Sequence, residues 1–442
     1  MDDLRERLRR LPAPEAATLR LVAGAALARG LAPYLVGGAV RDLLLGQNTV
    51  DLDVVVAGDA VALAAALAAE TGAAVRVHER FRTATLAWPD GRQFDLVTAR
   101  WERYPVPGAL PEVVPGTLDD DLRRRDFTVS AMAASLDPAT YGALVDPCGG
   151  LADLRAGAIR ALHPASFRDD PTRLLRAVRY EQRLSALARA GDAATPRPPT
   201  FAMEPRTLAW FRDAVAAGAA RTLTVERLAH EFVRLLDEPA AAPMLARLAD
   251  LGLLPQISPE LRWDDETRRA LADLASSWLV PQPPYAAWMA RCALLLAHLP
   301  PGRAADAARA LRLEAAAVGL AAQVAALREQ SPALTRPLAN SALANLLDPY
   351  SVTALGALAA LEPDPTLRAQ VAHYLAELRD LKPALTGDAL RALGVPPGPI
   401  YRDALAALKD HKRDHPALTV AEEERFLRAW LAARGVGVGH GA

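Results

Sequence analysis

The stretch YLVGGAVRDLLLGQNTVDLDVVVAG, residues 34–58, decides the fold, because it predicts two strands joined by a glycine turn and a short helix. The second strand opens with the acidic pair Asp51 and Asp53. Side chains alternate across a strand, so both carboxylates point to the same face, roughly 7 Å apart along the backbone. Two carboxylates on one face can hold Mg²⁺, so this strand predicts a magnesium site.

The turn before the acidic pair is suited to phosphate. Gly37 and Gly38 allow backbone N–H groups to approach a phosphate closely, and Arg41 adds a fixed positive charge. A further carboxylate, Asp95, lies on the β-prone stretch RQFDLVTAR and supplies a third metal ligand if that strand lies beside the first pair. Phosphoryl transfer uses metal ions to lower the charge on a triphosphate and to activate a hydroxyl. The combination predicts a phosphoryl-transfer site with all three carboxylates as its catalytic residues.

Only the first third of the chain alternates as strands do. Its β-prone stretches are residues 34–38, 51–56, 73–78, 83–88 and 93–98, with a predicted helix at 59–70. From about residue 155 onward the sequence is rich in Ala, Leu and Arg with helical periodicity, interrupted by proline clusters. The predicted fold class is α+β, a small α/β head followed by a long helical remainder. The predicted domains are residues 1–155, 156–238, 239–385 and 386–442.

The composition is typical of a soluble globular protein, since 51% of the 442 residues are hydrophobic and 23% are charged. No run of about 18 uncharged apolar residues is present, and the N-terminal MDDLRERLRR lacks the apolar core of a secretory signal. Cys148 and Cys292 belong to no metal-type cluster, which argues against a disulfide framework or a zinc site. The expected location is the cytoplasm. Lys and Arg total 51 against 52 for Asp and Glu, so any surface for nucleic acid must be local.

The order of these features is specific. The motif L-V-G-G-x-V-R-D, followed ten residues after Arg41 by D-x-D, resembles the signature of the class II tRNA nucleotidyltransferase and bacterial poly(A) polymerase family. The resemblance implies a polymerase β-like head, with a small mixed sheet and helices, followed by an elongated all-helical neck, body and tail. It also implies metal-dependent nucleotidyl transfer at Asp51 and Asp53, with Mg²⁺ as the cofactor.

A second motif, DDLRRRDFTVSAMA at 120–133, is similar to the R-R-D-F-T-x-N-A element of the same family. In the family this element recognises the ribose and ties the head to the helical neck. The resemblance therefore assigns nucleotide contacts to Arg124, Arg125 and Asp126. Ser130 stands where the family usually has Asn, so this position keeps a hydroxyl and loses the amide.

A third motif, RDDPTRLLRAVRYEQR at 168–183, predicts a helix that begins after Asp170, because an acidic N-cap followed by proline is a strong start signal. The helix places a polar stripe on one face, made of Arg173, Arg176, Tyr180 and Arg183, with Arg179 beside it. The motif resembles the family's [E/D]-D-x-x-R element, which reads the Watson–Crick edge of the incoming base. The resemblance implies that Asp170 and Arg173 accept C or A and reject U and G, while Arg176 and Arg179 line the triphosphate.

Two later segments carry weaker signals. TLTVERLAHEFVRLL at 222–236 is similar to the family's V-E-R-x-x-x-E helix, where we expect Glu226 and Glu231 to be structural supports. The tail LTGDALRALGVPPGPIYRDALAALKD at 385–410 resembles the family's tRNA-binding end, whose turn amides would approach RNA phosphates. The basic residues expected to strengthen that RNA contact are Lys409, Lys412 and Arg413.

The predicted function is that of a tRNA nucleotidyltransferase, which adds C, A or both from CTP and ATP to the tRNA 3′ end without a nucleic-acid template. Full CCA addition, CC-only addition, A-only addition and poly(A) synthesis are alternatives within the fold. The segment at 100–119 corresponds to the flexible loop by which the family switches from C to A, and here it is rich in proline.

Two other classes of protein are disfavoured. A non-catalytic RNA-binding protein with this fold has no reason to keep the catalytic and base-reading residues intact. An HD-type phosphohydrolase needs an Asp directly after its His, and here Leu299 follows His298, which we therefore expect to be a core or surface residue.

Overall fold

A computed structural model describes residues 4–47, 52–190, 200–276 and 283–436. The chain divides into two compact units, Met1–Ile257 and Ser258–Ala442. Asp51, predicted to be catalytic, lies outside the described residues. The strands, all in the first unit, are β1 Pro33–Val36, β2 Asp53–Val56, β3 Ala74–His78, β4 Thr83–Ala87, β5 Gln93–Thr98, β6 Arg100–Arg103, β7 Glu112–Pro115, β8 Ala133–Ser135, β9 Leu144–Val145, β10 Ala158–Ile159 and β11 Ala202–Met203.

Helices connect and follow these strands. The helices of the first unit are α1 Leu4–Arg9, α2 Ala13–Leu27, α3 Gly38–Leu44, α4 Ala60–Thr71, α5 Leu118–Arg123, α6 Gly150–Ala156, α7 Ser166–Asp169, α8 Thr172–Ala190, α9 Pro205–Ala216, α10 Val225–Asp237, α11 Ala241–Asp250 and α12 Leu254–Ile257. The helices of the second unit are α13 Asp265–Ser276, α14 Ala287–Leu296, α15 Pro301–Ala310, α16 Ala315–Gln330, α17 Asn340–Leu347, α18 Val352–Leu361, α19 Pro365–His373, α20 Gly387–Ala392, α21 Pro399–Asp414 and α22 Val420–Ala432.

Seven strands form one mixed sheet in the order β3-β4-β5-β2-β1-β8-β9. β2 and β5 pair in parallel, and the other neighbouring pairs are antiparallel. The five strands predicted from alternation, β1 to β5, are present, and the α+β prediction is confirmed. The sequence does not predict β8 and β9, because they have only three and two residues and β8 is Ala-Ala-Ser, without β-branched or aromatic side chains.

Helix α4 begins and ends where its sequence predicts. The Asp59 carboxylate accepts a hydrogen bond from the Ala62 N–H, which satisfies one of the open donors of the first turn. Gly72 follows the last turn with a φ of 70°, in the left-handed conformation that favours glycine at a helix end. Leu63 and Leu67, one turn apart, are both fully buried. The helix predicted at 59–70 is therefore confirmed to within a residue.

One face of the sheet packs on helix α5. Asp53 and Val55 alternate with Val54 along β2, so they share a face, and Val55 belongs to a buried cluster with Leu122 of α5. Residues 124–127, the RRDF motif, follow α5 directly. They therefore lie on the side of the sheet that carries Asp53.

The segment predicted to be a loop at 100–119 contains a hairpin. β6 and β7 pair antiparallel, and Trp101 lies opposite Val114. The residues Arg100 to Arg103 and Glu112 to Pro115 form this hairpin, although the prolines favour a loop by composition.

From residue 156 onward the described chain is almost entirely helical, as the sequence predicts, apart from the short parallel pair β10 and β11. None of the described helices is long and apolar enough to cross a membrane. His298 lies just beyond α14 in the second unit, where burial lowers the pKa of its imidazole.

An ionic cluster around the buried Arg413 holds α21 in the second unit. Arg413 is fully buried, and its Nη2 donates to both Asp348 carboxylate oxygens, at 2.7 and 2.9 Å. Lys409 donates to the same carboxylate at 3.0 Å, and the Lys412 ammonium lies 3.2 Å from Glu423. The expectation that these three basic residues contact RNA is wrong for Arg413, because its guanidinium is enclosed. Lys409 and Lys412 are engaged by acids of the same unit.

Replacing Asp348 with asparagine is expected to lower the free energy of unfolding of the full chain by roughly 3 kcal/mol, because the buried Arg413 loses its counter-charge. Burial alone would raise the pKa of Asp348, but hydrogen bonds from Arg413 and Lys409 lower it overall. A depressed folded-state pKa contributes stability above the unfolded pKa, and this contribution is lost as the pH falls through the folded value. The difference in free energy of unfolding between Asp348→Asn and the native chain should therefore become smaller as the pH falls.

Urea unfolding at neutral and acidic pH measures this effect. The matched control is Asp388→Asn, because Asp388 pairs with Arg391 at the surface and its side chain is 82% exposed. Equal unfolding midpoints for Asp348→Asn and the native chain at neutral pH would contradict the assignment.

Candidate active site

A cleft of about 540 Å³ lies in the first unit, between the sheet, the β6–β7 hairpin and helices α8 and α10. Nine of the described residues that line it are arginines: Arg41, Arg124, Arg125, Arg173, Arg176, Arg179, Arg183, Arg227 and Arg234. Five are acids: Asp42, Asp53, Glu102, Asp126 and Asp170. The excess of positive charge suits a polyanionic ligand such as a triphosphate.

The cleft brings together most of the predicted site residues. Those that line it are Gly38, Arg41, Asp53, Arg124, Arg125, Asp126, Asp170, Arg173, Arg176 and Arg179. Gly37 lies directly behind Arg125. Asp95 instead lines a neighbouring cavity of about 670 Å³ together with Leu52, the residue before β2.

Asp53 and Asp95 lie side by side on the parallel strands β2 and β5, where they are partners in register. Partners in register project to the same face of a sheet. The Asp95 Oδ1 atom is buried and has no hydrogen-bond partner among the described residues. A buried carboxylate oxygen without a donor is a suitable ligand for a cation. The described part of the chain brings together no larger group of His, Cys, Asp or Glu side chains that could hold a metal ion.

The glycine turn approaches the second motif closely. Gly37 has a φ of 72°, in the left-handed region, and a Cβ atom there would lie 2.5 Å from the Arg125 Nη1 atom. A side chain at this position would strain the turn and displace the Arg125 guanidinium.

Arg41 is buried and held at the wall of the cleft. Its Nε donates to Asp42 at 2.8 Å, and its Nη1 donates to the Ser130 hydroxyl at 3.1 Å. Burial disfavours the charged guanidinium, but the adjacent Asp42 raises the pKa of Arg41 above its ordinary value. The serine that replaces the family's usual asparagine thus still contacts a cleft arginine through its hydroxyl.

Asp121, which sequence reasoning missed, orients two of the predicted arginines. Its carboxylate is fully buried and accepts from the Arg124 Nη2 at 2.7 Å and from the Arg125 Nη2 at 2.9 Å. Arg124 also donates to Glu102 at 2.9 Å. The spacing of three and four residues from Asp121 along the chain was the available signal for this contact.

Asp126 joins the RRDF motif to helix α8. The Asp126 Oδ2 accepts from the Arg176 Nε at 2.8 Å and from its Nη2 at 2.6 Å. Burial alone would raise the pKa of Asp126, but Arg176 lowers it overall, so the pair is ionised. The contact fixes Arg176 between the sheet and the helix.

The start of α8 places Asp170 at the cleft. Asp170 Oδ1 accepts from the Thr172 N–H at 3.1 Å, and the helix begins at Thr172, as the sequence predicts. The same oxygen accepts from the Arg227 Nη2 at 2.8 Å. Arg227 of α10 also lines the cleft. It is the arginine of the V-E-R-x-x-x-E motif, in which the sequence analysis gives a role only to the two glutamates.

Arg173 is buried, and both ends of its guanidinium are held. Its Nη1 donates to the Ser166 hydroxyl at 2.7 Å, and its Nη2 donates to the Arg124 carbonyl at 2.8 Å. The guanidinium is thereby fixed in one plane at the wall of the cleft that Asp170 also lines.

Glu231 and Glu238 of the α10 region support the outer arginines. Glu231 is buried and lies 3.6 Å from both Arg176 and Arg179, and Glu238 lies 3.6 Å from Arg179. These contacts agree with the supporting role expected for Glu231.

Two parts of the chain match known domains. Residues 33–160 match the poly A polymerase head domain, and residues 200–264 match a domain described as the probable RNA and SrmB-binding site of polymerase A. The fold and the cleft therefore define a nucleotidyltransferase head joined to a helical region.

The relatives narrow this class to a family. The CC-adding tRNA nucleotidyltransferase of Deinococcus radiodurans is 36% identical over 404 residues, which are 90% of this chain and 89% of that protein. The A-adding tRNA nucleotidyltransferase of Geobacter sulfurreducens is 32% identical over 430 residues, 95% of this chain and 47% of that protein. The solved Thermotoga maritima CCA-adding enzyme complexed with tRNA_CCA is 26% identical, with a TM-score of 0.77 over 97% of this chain and 99% of that chain. This chain belongs to the class II tRNA nucleotidyltransferase family.

The match covers about half the length of the Geobacter and Halalkalibacterium A-adding relatives. Nucleotidyltransferases of the family generally use a divalent metal ion.

Proposed function

We propose that the protein transfers C, A or both from CTP and ATP to the 3′ end of tRNA, without a nucleic-acid template. The single observation that carries the proposal is the placement of Asp53, Asp170 and Arg173 in one arginine-lined cleft. In the reaction the tRNA 3′-hydroxyl oxygen forms a bond to the α-phosphorus, the bond between the α-phosphorus and the bridging oxygen breaks, pyrophosphate leaves and the hydroxyl proton is released.

Mg²⁺ would lower the charge of the triphosphate and activate the hydroxyl, and Asp51, Asp53 and Asp95 are the residues that would hold it. The register of Asp53 with Asp95, and the buried Asp95 oxygen that lacks a hydrogen-bond partner among the described residues, support this assignment. Asp53 and Asp95 lie on adjacent strands and project to the same face of the sheet, as two ligands of one cation must.

The arginines bind and orient the triphosphate. Arg41, Arg176 and Arg179 are held by Asp42, Asp126 and Glu231, so their charges are placed before a nucleotide enters. Fixed charges lose little conformational freedom on binding, which strengthens the hold on the phosphates.

Asp170 and Arg173 select the base. A carboxylate accepts from the exocyclic amino group of C or A, and a guanidinium donates to a ring nitrogen or carbonyl. U and G present a carbonyl where C and A present the amino group, so Asp170 repels them. Side chains thus replace a template strand.

The acceptor we propose is tRNA, and the tail at 386–442 is its expected binding region. The match of residues 200–264 to an RNA-binding domain and the tRNA complex of the Thermotoga enzyme support this acceptor. We place the reaction in the cytoplasm. The Deinococcus relative, whose match covers 90% of this chain, favours CC addition. The Geobacter relative, whose match covers 95% of this chain, favours A addition.

Three tRNA transcripts test the proposal: one without the CCA end, one without its last two nucleotides and one without the final A. Each is incubated with the purified protein, Mg²⁺ and one labelled nucleotide. We expect CTP or ATP, and neither UTP nor GTP, to be incorporated into at least one transcript, and EDTA to stop it. The pattern across transcripts separates CCA, CC-only, A-only and poly(A) addition. Failure to incorporate either CTP or ATP into any transcript would overturn the proposed function.

A further inference from the structure

Arg227 of helix α10 bridges two parts of the chain that are distant in sequence. Its Nη2 donates to the Asp170 Oδ1 at 2.8 Å, and its Nη1 donates to the Gly108 carbonyl at 2.7 Å. The side chains of Arg227 and Asp170 are only 20% and 18% exposed, so solvent screens this ion pair incompletely. A planar guanidinium with two occupied ends is held in one orientation.

We infer that Arg227 is a positioning residue for base selection, which acts by fixing the carboxylate of Asp170. The inference rests on the proposed function and extends it to a residue outside the motif that reads the base.

The hydrogen bonds of Asp170 support this role. In the described part of the chain, Asp170 accepts through Oδ1 alone, from the Thr172 N–H, the Thr172 hydroxyl and the Arg227 Nη2. Three donors on one oxygen fix the rotation of the carboxylate about its last side-chain bond. Oδ2 then accepts from the amino group of C or A. Without Arg227, rotation of the carboxylate would present either oxygen, and the geometry that rejects U and G would be lost.

The Gly108 carbonyl, which is the second acceptor of Arg227, is also fixed in position. Gly108 lies between β6 and β7 with a φ of 74°, and its N–H donates to the Asp169 carbonyl at 3.3 Å. A Cβ atom at Gly108 would lie 2.7 Å from the Thr222 carbonyl oxygen. The loop is therefore packed against the segment before α8 and the turn before α10. One end of the Arg227 guanidinium is bound to this packed loop and the other to Asp170. The guanidinium therefore holds the base-reading carboxylate in a fixed position relative to the loop.

Single-nucleotide incorporation by Arg227→Met and Arg227→Lys tests the inference. Methionine keeps the aliphatic length and removes the charge. We expect Arg227→Met to lower kcat/KM for the preferred nucleotide and to raise the relative incorporation of UTP and GTP roughly tenfold, with tRNA affinity unchanged. Lysine restores a charge beside Asp170 but has one donor centre for two acceptors, so Arg227→Lys should recover part of the selectivity.

A double-variant comparison separates positioning from general support. If Arg227 acts through Asp170, adding Arg227→Met to Asp170→Ala should cause no further loss of selectivity. The matched control is Arg212→Met, an exposed arginine of α9 outside the cleft, which should behave like the native chain.

The inference is overturned if Arg227→Met keeps the native ratios among the four nucleotides, or lowers all four rates by the same factor. It is also overturned if the effects of the two variants on selectivity simply add. An inactive native protein would instead refute the proposed function, so the two failures are distinguishable.

Discussion

Asp53→Asn is expected to reduce nucleotide incorporation by at least about 1,000-fold, because the proposed metal site would lose a charged ligand worth several kcal/mol in the transition state. Asparagine keeps the shape of the side chain and one oxygen, so the packing of β2 against α5 should not change. The measurement is single-turnover incorporation of labelled CTP and ATP at saturating Mg²⁺, with tRNA binding and thermal unfolding followed in parallel.

The matched control for this variant is Asp119→Asn. Asp119 is an exposed acid that pairs with Arg123 at the surface of the same unit. The Asp119→Asn variant should retain native activity. If Asp53→Asn keeps activity within tenfold of the native protein, Asp53 does not hold the catalytic metal. Loss of tRNA binding in the same variant would point to a folding defect, which the thermal unfolding curve detects.

Asp170→Ala is expected to degrade base choice about 10- to 100-fold while leaving tRNA affinity nearly unchanged, since one base-reading contact discriminates by about 1–3 kcal/mol. Alanine removes both carboxylate oxygens, so the cleft no longer distinguishes an amino group from a carbonyl. Arg227 also loses its carboxylate partner, which leaves its positive charge unneutralised near the base. UTP, which offers a carbonyl at that position, should gain most.

Competition among the four labelled nucleotides at equal concentration measures this change. Asp213→Ala, an exposed acid of α9, serves as the control. An unaltered preference in Asp170→Ala would show that the base is read elsewhere. A uniform fall in all four rates would show that Asp170 supports the fold of the cleft without selecting the base.

The parts of the site that the sequence predicts are those encoded locally. Alternation along 51–56 and 93–98 predicts two strands, and the structure places Asp53 and Asp95 in register on them. The Asp-Pro pair predicts the start of α8 to within one residue. These signals depend on neighbours within one turn or one strand, where periodicity and capping are decisive.

The parts that the sequence does not predict depend on contacts between distant segments. Arg227 meets Asp170 across 57 residues, and Arg413 meets Asp348 across 65. In sequence Arg413 resembles an ordinary charged residue of an amphipathic helix, and the V-E-R-x-x-x-E motif that contains Arg227 does not indicate a contact with Asp170. Whether such a residue faces solvent or a buried acid is set by tertiary packing, which is why Arg413 was wrongly expected to contact RNA.

The arginine excess of the cleft has a consequence for how the protein meets its substrates. Under the proposed function, the arginines assigned to the triphosphate would bind phosphate whatever the base, so any nucleoside triphosphate, or free pyrophosphate, would gain much of the same attraction. Wrong nucleotides are therefore expected to compete for entry at comparable concentrations. Fidelity would then depend on how rarely a wrongly bound nucleotide reaches the geometry for transfer, and we expect accumulated pyrophosphate to slow turnover by binding the same arginines.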